Sequence, residues 1–520
     1  MGGGKSGSGM GGPKVLVIGL DGATWDLIAP WVKEGALPNI ERLLNEGVHS
    51  ELISTLPSST GPAWTSIFTG KNPGKHGIFD FFDLRSDHLR PVSSQDIRSK
   101  TLWQLVSIHL KRVIVINVPV TYPPAKVNGV IVTGLLTPGE EYDFTYPVKL
   151  KEELLRSGYM IEPGVNLVRA LSLSFTDETI SKLIATFNGN AENKAEVAFK
   201  LMQRYDWDLL FIVFEGTDRL GHYLWRDESL NALRKHYQKL DLIIGDFLKK
   251  IPNNTTIIIL SDHGMAPIKK KFYVNNWLMN LELLHVKAGI TKIFKYYSLK
   301  FVINSAKSLA DLHFPVQRLL GSKRVMRRMY QFASPKNIID RDRTKAEYPT
   351  WTSSGIIVNQ EALAKKEDYE QLMDYILREF NELRDPETGE RILEAFKRED
   401  IYSGAYVKKA PDIILDMNPG YDLTNIIALD RKIAKNPLTD VKGSLEVRSA
   451  AHTKKGILIL QGQNIKKGMK LTNKTVYDIT PTILYLLGIP VPSDMDGKVM
   501  EDAFKEQVYL PVDKRQTIWK

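Results

Sequence analysis

Three aspartates and three histidines stand at the ends of short apolar runs. Asp21 follows Val15–Leu20 (VLVIGL), and Asp218 and His222 lie in EGTDRLGH, just after Leu209–Phe214 (LLFIVF). Asp262 and His263 lie in SDHGM, after Thr256–Leu260, and His452 lies in AAHTKKG, just before Gly456–Leu460. Taken singly, each has a plain reading: an Asp at a strand end is more often a cap or turn residue, and the chain has 10 histidines. Together they are the donor set of a two-metal hydrolytic site, in which ions about 3.5–4 Å apart clamp the attacking and leaving oxygens of a phosphoryl transfer. The chain contains no cysteine. That excludes a disulfide framework, a thiol nucleophile and cysteine-ligated metals, so any metal rests on nitrogen and oxygen donors. Asp218 and His222 are spaced i, i+4 and share one face of a helical turn. Asp262 and His263 are adjacent, at a strand-to-turn junction where consecutive side chains can converge.

A nucleophile belongs beside such a cluster. The string Ser58-Ser59-Thr60-Gly61-Pro62-Ala63-Trp64-Thr65-Ser66 precedes IFTGKNPGKHGI. A hydroxyl at a helix N-terminus meets backbone N–H groups and the positive end of the dipole, which favour an alkoxide and a phosphorylated intermediate. Ser58, Ser59, Thr60 and Thr65 all qualify, and spacing alone does not choose among them. Near the start, Gly4-Lys5-Ser6 lacks the upstream glycine and strand of a phosphate loop. Residues 1–13 read instead as a tag or flexible leader.

The elements that must position these groups follow from the apolar runs. Val15–Leu20, Val113–Val118, Leu209–Phe214, Thr256–Leu260 and Gly456–Leu460 are continuous and β-branched, the signature of strands buried on both faces. Helical periodicity lies between them at Leu37–Glu46, Asn231–Lys249 and Asp368–Leu383. The fold class is α/β, a mostly parallel central sheet flanked by helices, and ligands of such sheets bind beyond the carboxyl ends of strands. Composition agrees with a globular chain of 520 residues, 43% hydrophobic and 25% charged. No run of 18 or more apolar residues occurs, and no signal-peptide pattern opens the chain. A cytoplasmic protein is expected.

One segment departs from the pattern. Residues 287–336 carry eleven Lys or Arg against one acid, Asp311, a local excess equal to the whole chain's net charge of +10. Apolar residues interleave with them, so basic amphipathic helices are expected, forming an inserted cap across residues 271–349. The catalytic core then comprises 14–270 and 350–510. The cap is either a solvated face packed by its apolar side or a contact for an anionic membrane surface or polyanionic substrate, which would make the protein peripheral to the membrane. No nucleic-acid module is recognised.

The strings VIGLDG, PAWTSIFTGKNPGKHGI, EGTDRLGH, SDHGM, AHTKKG and VYDITPTILYLLGIPVPSDMDG, in that order between Val15 and Gly497, resemble the alkaline phosphatase superfamily. The resemblance is nearest to its type I phosphodiesterase/nucleotide pyrophosphatase branch and to prokaryotic phosphohydrolase and phosphomutase relatives. It implies an alkaline phosphatase-like core and two divalent ions, zinc in most branches and manganese in mutases. Asp21, Asp262 and His263 with the nucleophile oxygen would hold one ion; Asp218, His222 and His452 would hold the other. The nucleophile, two residues before the Pro, falls on Thr60. Two departures stand out. Nucleotide pyrophosphatases carry Asn after that Pro, where this chain has Ala63; sulfatases need Arg at the fourth position after the nucleophile, where it has Trp64. The expected function is a metal-dependent phosphodiesterase acting through phosphothreonine. A phosphomonoesterase or phosphomutase is the alternative, and a non-catalytic membrane- or polyanion-binding protein a remote third.

Overall fold

The computed structural model describes residues 12–85, 90–161, 176–226, 229–287, 338–350, 352, 355–363, 366–428, 430–441 and 448–506. The expected leader lies outside these residues up to position 11, and so does the basic segment, apart from Lys287.

A ten-stranded sheet forms the centre. Strand Lys14–Leu20 lies between Leu209–Phe214 and Thr255–Leu260, parallel to both, and Val113–Val118 continues the parallel set beyond Leu209–Phe214. Strand Lys455–Gln461 runs antiparallel, inserted between Thr255–Leu260 and Val48–Ile53. The continuous apolar runs arise because side chains alternate across a sheet covered on both faces. Leu16, Ile18, Leu20, Leu210, Ile212 and Phe214 face one core, together with helices Asp177–Arg204 and Leu230–Lys250. Val15, Val17, Leu209, Phe211 and Val213 face the other, under helices Thr60–Thr69, Leu102–Ile108 and Ile479–Leu486. Each such side chain, fully buried, contributes about 1.5–3 kcal/mol over exposure. No helix among the described residues is long and apolar enough to cross a membrane.

A second, smaller core packs around two further sheets. One comprises Ala346–Glu347, Gly355–Val358, Ile413–Met417 and Leu393–Lys397; the other comprises Tyr421–Thr424, Lys270–Tyr273 and Leu438–Asp440. Residues on both sides of the basic segment share this core, among them Phe272, Leu278, Ile339 and Tyr348. It faces the carboxyl ends of the parallel strands, with a cavity between the two.

Candidate active site

Each strand-end residue is delivered by its own local turn. Asp21 is the first residue past the Lys14–Leu20 strand, and its N–H donates to Phe214 O at 3.0 Å. Gly22 then adopts a left-handed φ of 67°. An added Cβ there would lie 3.1 Å from Asp218 Cβ, so glycine lets the two aspartates approach. Asp218 and His222 lie one turn apart on helix Gly216–Leu224, with His222 Nε2 3.2 Å from Asp218 Oδ1. Asp262 and His263 leave the Thr255–Leu260 strand together and do converge, His263 Nε2 lying 3.3 Å from Asp262 Oδ2. His452 arrives on strand Ala450–Thr453, paired antiparallel with Gly264–Pro267. That pairing stacks the His263 and His452 rings at 3.7 Å between centroids.

All seven predicted residues meet at one place. Asp218, His222 and His452 offer donor atoms that lie within 4.8 Å of one another, and Asp21, Asp218 and His263 form a second such group that shares Asp218. Asp262 joins through its contact with His263. Thr60 opens helix Thr60–Thr69, and its Oγ1 lies 3.2 Å from His263 Nε2. The rival Thr65 donates to Gly61 O inside that helix instead. Ser58 and Ser59 line the cavity beside Thr60, and the Ser58 carbonyl meets His452.

The three imidazoles are oriented alike. Nδ1 of His222, His263 and His452 each lies within 3.0 Å of a backbone carbonyl, of Ala450, Gly264 and Ser58 respectively. A carbonyl only accepts, so each Nδ1 carries the proton and each Nε2 turns a lone pair inward. Two of these, on His222 and His452, lie 3.0 Å apart with Asp218 Oδ1 beside both. Lone pairs at that distance repel unless a proton or a cation lies between them, so the three donors form a candidate cation site. Asp21 Oδ1 and Asp262 Oδ2 are likewise buried without a hydrogen-bond partner.

The electrostatics say the same. Burial, then the charges of Asp262 and Asp218, push the Asp21 carboxyl well above its ordinary range, and burial chiefly raises Asp262. Burial alone would raise Asp218 too, but His222 and His452 hold it well below. Burial, helped by His263, lowers His452 to about 3. A divalent cation relieves this crowding by favouring deprotonated ligands throughout. The donor set, nitrogen and carboxylate oxygen without sulfur, fits zinc or manganese.

Sequence reasoning missed several residues. Trp64 Nε1 donates to Asp21 Oδ2 at 2.9 Å, fixing one carboxylate oxygen while leaving the other in the cluster. Phe81, Phe82, Tyr223 and Tyr348 line the cavity of about 490 Å³ that opens from Thr60. Lys71 and Lys75, just past helix Thr60–Thr69, pair with Asp494 and Asp496, whereas Arg219 lines the cavity. So does Arg448, which no spacing rule singled out.

Residues 15–437 match the family model described as type I phosphodiesterase / nucleotide pyrophosphatase. The chain belongs to this family. A phosphodiesterase-family relative in Schizosaccharomyces pombe, an uncharacterized pyrophosphatase/phosphodiesterase, is 25% identical over 285 residues, 51% of this chain. The match spans 47% of that curated relative's length. Among solved structures, human ectonucleotide pyrophosphatase / phosphodiesterase 5 aligns with a TM-score of 0.52 at 14% identity, covering 95% of this chain and 100% of that one. The murine protein, solved as an inactive variant in complex with AMP, aligns with a TM-score of 0.50 at 14% identity, covering 93% and 97%. At that identity the likeness concerns the phosphodiesterase fold.

Proposed function

We propose that this member of the type I phosphodiesterase family is a metal-dependent phosphoric ester hydrolase that cleaves diesters through a phosphothreonine at Thr60. The observation that carries the reading is the Thr60 hydroxyl at a buried helix start, 3.2 Å from His263 Nε2, within a cluster of three carboxylates and three inward-turned imidazoles. Asp21, Asp262 and His263 with Thr60 Oγ1 would hold one ion, and Asp218, His222 and His452 the other. Two divalent cations, zinc or manganese, supply Lewis-acid stabilisation of the oxygens that gain charge in the transition state. The chain's own groups do the rest. Thr60 Oγ1 loses its proton and bonds to phosphorus as the leaving alkoxide departs in line and is protonated. Water then breaks the phosphothreonine bond and restores the hydroxyl. Helix Thr60–Thr69 favours negative charge at its first residue. The backbone carbonyls behind the imidazoles hold their Nδ1 protons, and the aromatic cavity wall gives the organic ester groups an apolar seat.

The presence of Arg219 and Arg448 on that wall favours a second reading, phosphomonoesterase or phosphomutase, since a monoester brings one more charge. A contact of the basic segment with an anionic surface and a cytoplasmic location belong to the same proposal.

The test compares bis-p-nitrophenyl phosphate with p-nitrophenyl phosphate, under zinc or manganese, for the wild type and Thr60→Ala. Diester turnover that falls by roughly 10³-fold or more in Thr60→Ala is expected. Turnover kept within a few-fold would remove Thr60 as nucleophile, and preference for the monoester would move the reading to the alternative.

A further inference from the structure

Four carboxylates line the cavity, and each already faces positive or protonatable groups. Glu215 pairs with Lys194, Asp218 with His222 and His452, Asp416 with Lys454 and Asp422 with Lys271. Arg448 lines the same cavity and has no carboxylate partner among the described residues. Its Nη2 lies 2.9 Å from His222 Nδ1 and 3.1 Å from His222 Nε2. Near-equal distances to both ring nitrogens place the guanidinium against the imidazole face, not at the end of one lone pair. Its charge acts on the neighbourhood: Lys271 is lowered first by burial, with Arg448 adding to the effect. A partly buried guanidinium with no carboxylate partner among the described residues, held beside the proposed reacting centre, is a built receptor for an anionic oxygen.

Resting on the proposed hydrolase function, we propose that Arg448 binds substrate and that the substrate carries a second negative charge beside the scissile phosphorus. A simple diester has a single charge there, which the metal cluster already meets. Arg448 is placed to take the extra one, whether it sits on the phosphoryl group, as in a monoester, or on an anionic ester substituent.

Three chromogenic substrates separate these sources: bis-p-nitrophenyl phosphate, p-nitrophenyl phosphate, and a p-nitrophenyl diester whose other ester group bears a carboxylate. The holoenzyme, Arg448→Ala and Arg448→Lys are compared on all three, with metal content and calorimetric binding of inorganic phosphate measured alongside. In Arg448→Ala, kcat/KM for one doubly charged substrate falls about tenfold more than for the simple diester, and phosphate binds about tenfold more weakly. Arg448→Lys recovers part of both, and metal content holds. The substrate that suffers identifies where the second charge sits. An equal loss on all three substrates, or loss of metal, would assign Arg448 to supporting His222 and overturn the proposal, as would unaltered phosphate binding. If the wild type hydrolyses none of the three, the hydrolase reading fails, while the phosphate titration still decides whether Arg448 receives an anion.

Discussion

The surroundings of Asp21 distinguish its two carboxylate oxygens, and one of them faces the cluster proposed to hold metal. One carboxylate oxygen accepts the Trp64 N–H and the other has no partner in a buried setting. The indole therefore chooses which oxygen is left to bind. Trp64→Phe keeps most of the ring's volume and removes that one donor. The variant is expected to lose about 1–3 kcal/mol of stability from the orphaned oxygen and to bind metal roughly 10–100-fold more weakly. Thermal melts with and without metal, and a competition titration against a chromogenic chelator, check both. Retained affinity would show that Asp21 needs no such restraint. Trp64 was visible in the sequence only as the residue that departs from the sulfatase pattern. Its hydrogen bond spans a helix and a strand end, and no local spacing encodes that. Arg448 was equally silent, four residues before His452 without any pattern to mark it. The acids and histidines were legible because they stand directly at the ends of apolar runs.

Among elements, helix Gly216–Leu224 carries Asp218 and His222, and its first turn is pinned from behind. Glu215, the residue preceding the helix, accepts from the buried Lys194 of helix Asp177–Arg204 on one oxygen and from Asn117 Nδ2 on the other. Lys194 has no exposed side-chain surface. Breaking a buried pair on one side leaves an uncompensated charge, so Lys194→Met is expected to cost about 3–5 kcal/mol. Lys194→Met with Glu215→Gln removes both charges and should recover most of that loss in urea unfolding. A double variant no more stable than the single one would refute the pairing argument. Of these two helices, only the shared turn of Asp218 and His222 was legible, from their i, i+4 spacing. Their mutual pinning was not, because Lys194 reads in sequence as one more solvated helical lysine.

At the scale of the molecule, Asp80 ties the two cores together. It is buried beside the Phe81–Phe82 wall and accepts from Thr350 and Thr352, which come from the second core. Burial pushes its carboxyl up to about 6, against the hydroxyl and backbone donors that lower it. A raised folded-state value means that the native protein holds this proton more tightly than the unfolded chain. The protonated form's contribution is complete below the unfolded value of 3.8 and lost as pH rises through about 6. Asp80→Asn mimics the protonated form, so its stability relative to wild type should rise across that interval, by roughly 3 kcal/mol at most. Chemical denaturation at pH 4 and pH 7 measures it, and a constant difference would mean that Asp80 titrates as an ordinary surface acid. The parallel sheet was legible from its apolar runs. The smaller core was not, because its strands are two to five residues long, too short for periodicity to register.

The placing of strand Lys455–Gln461 between Val48–Ile53 and Thr255–Leu260 sets an order on assembly. Both neighbours emerge from the ribosome long before it, so the slot between them must stay open while residues 261 to 454 are made. Only when the late strand enters does His452, three residues upstream of it, reach the other residues of the cluster. A nascent chain therefore gains the last imidazole of the cluster only after the other six residues of the site are made. Long-range closure of this kind is slow and leaves strand edges unpaired in the meantime. The same delay means that the metal capture proposed for the complete cluster would report folding of the chain past His452, not the folding of any earlier fragment.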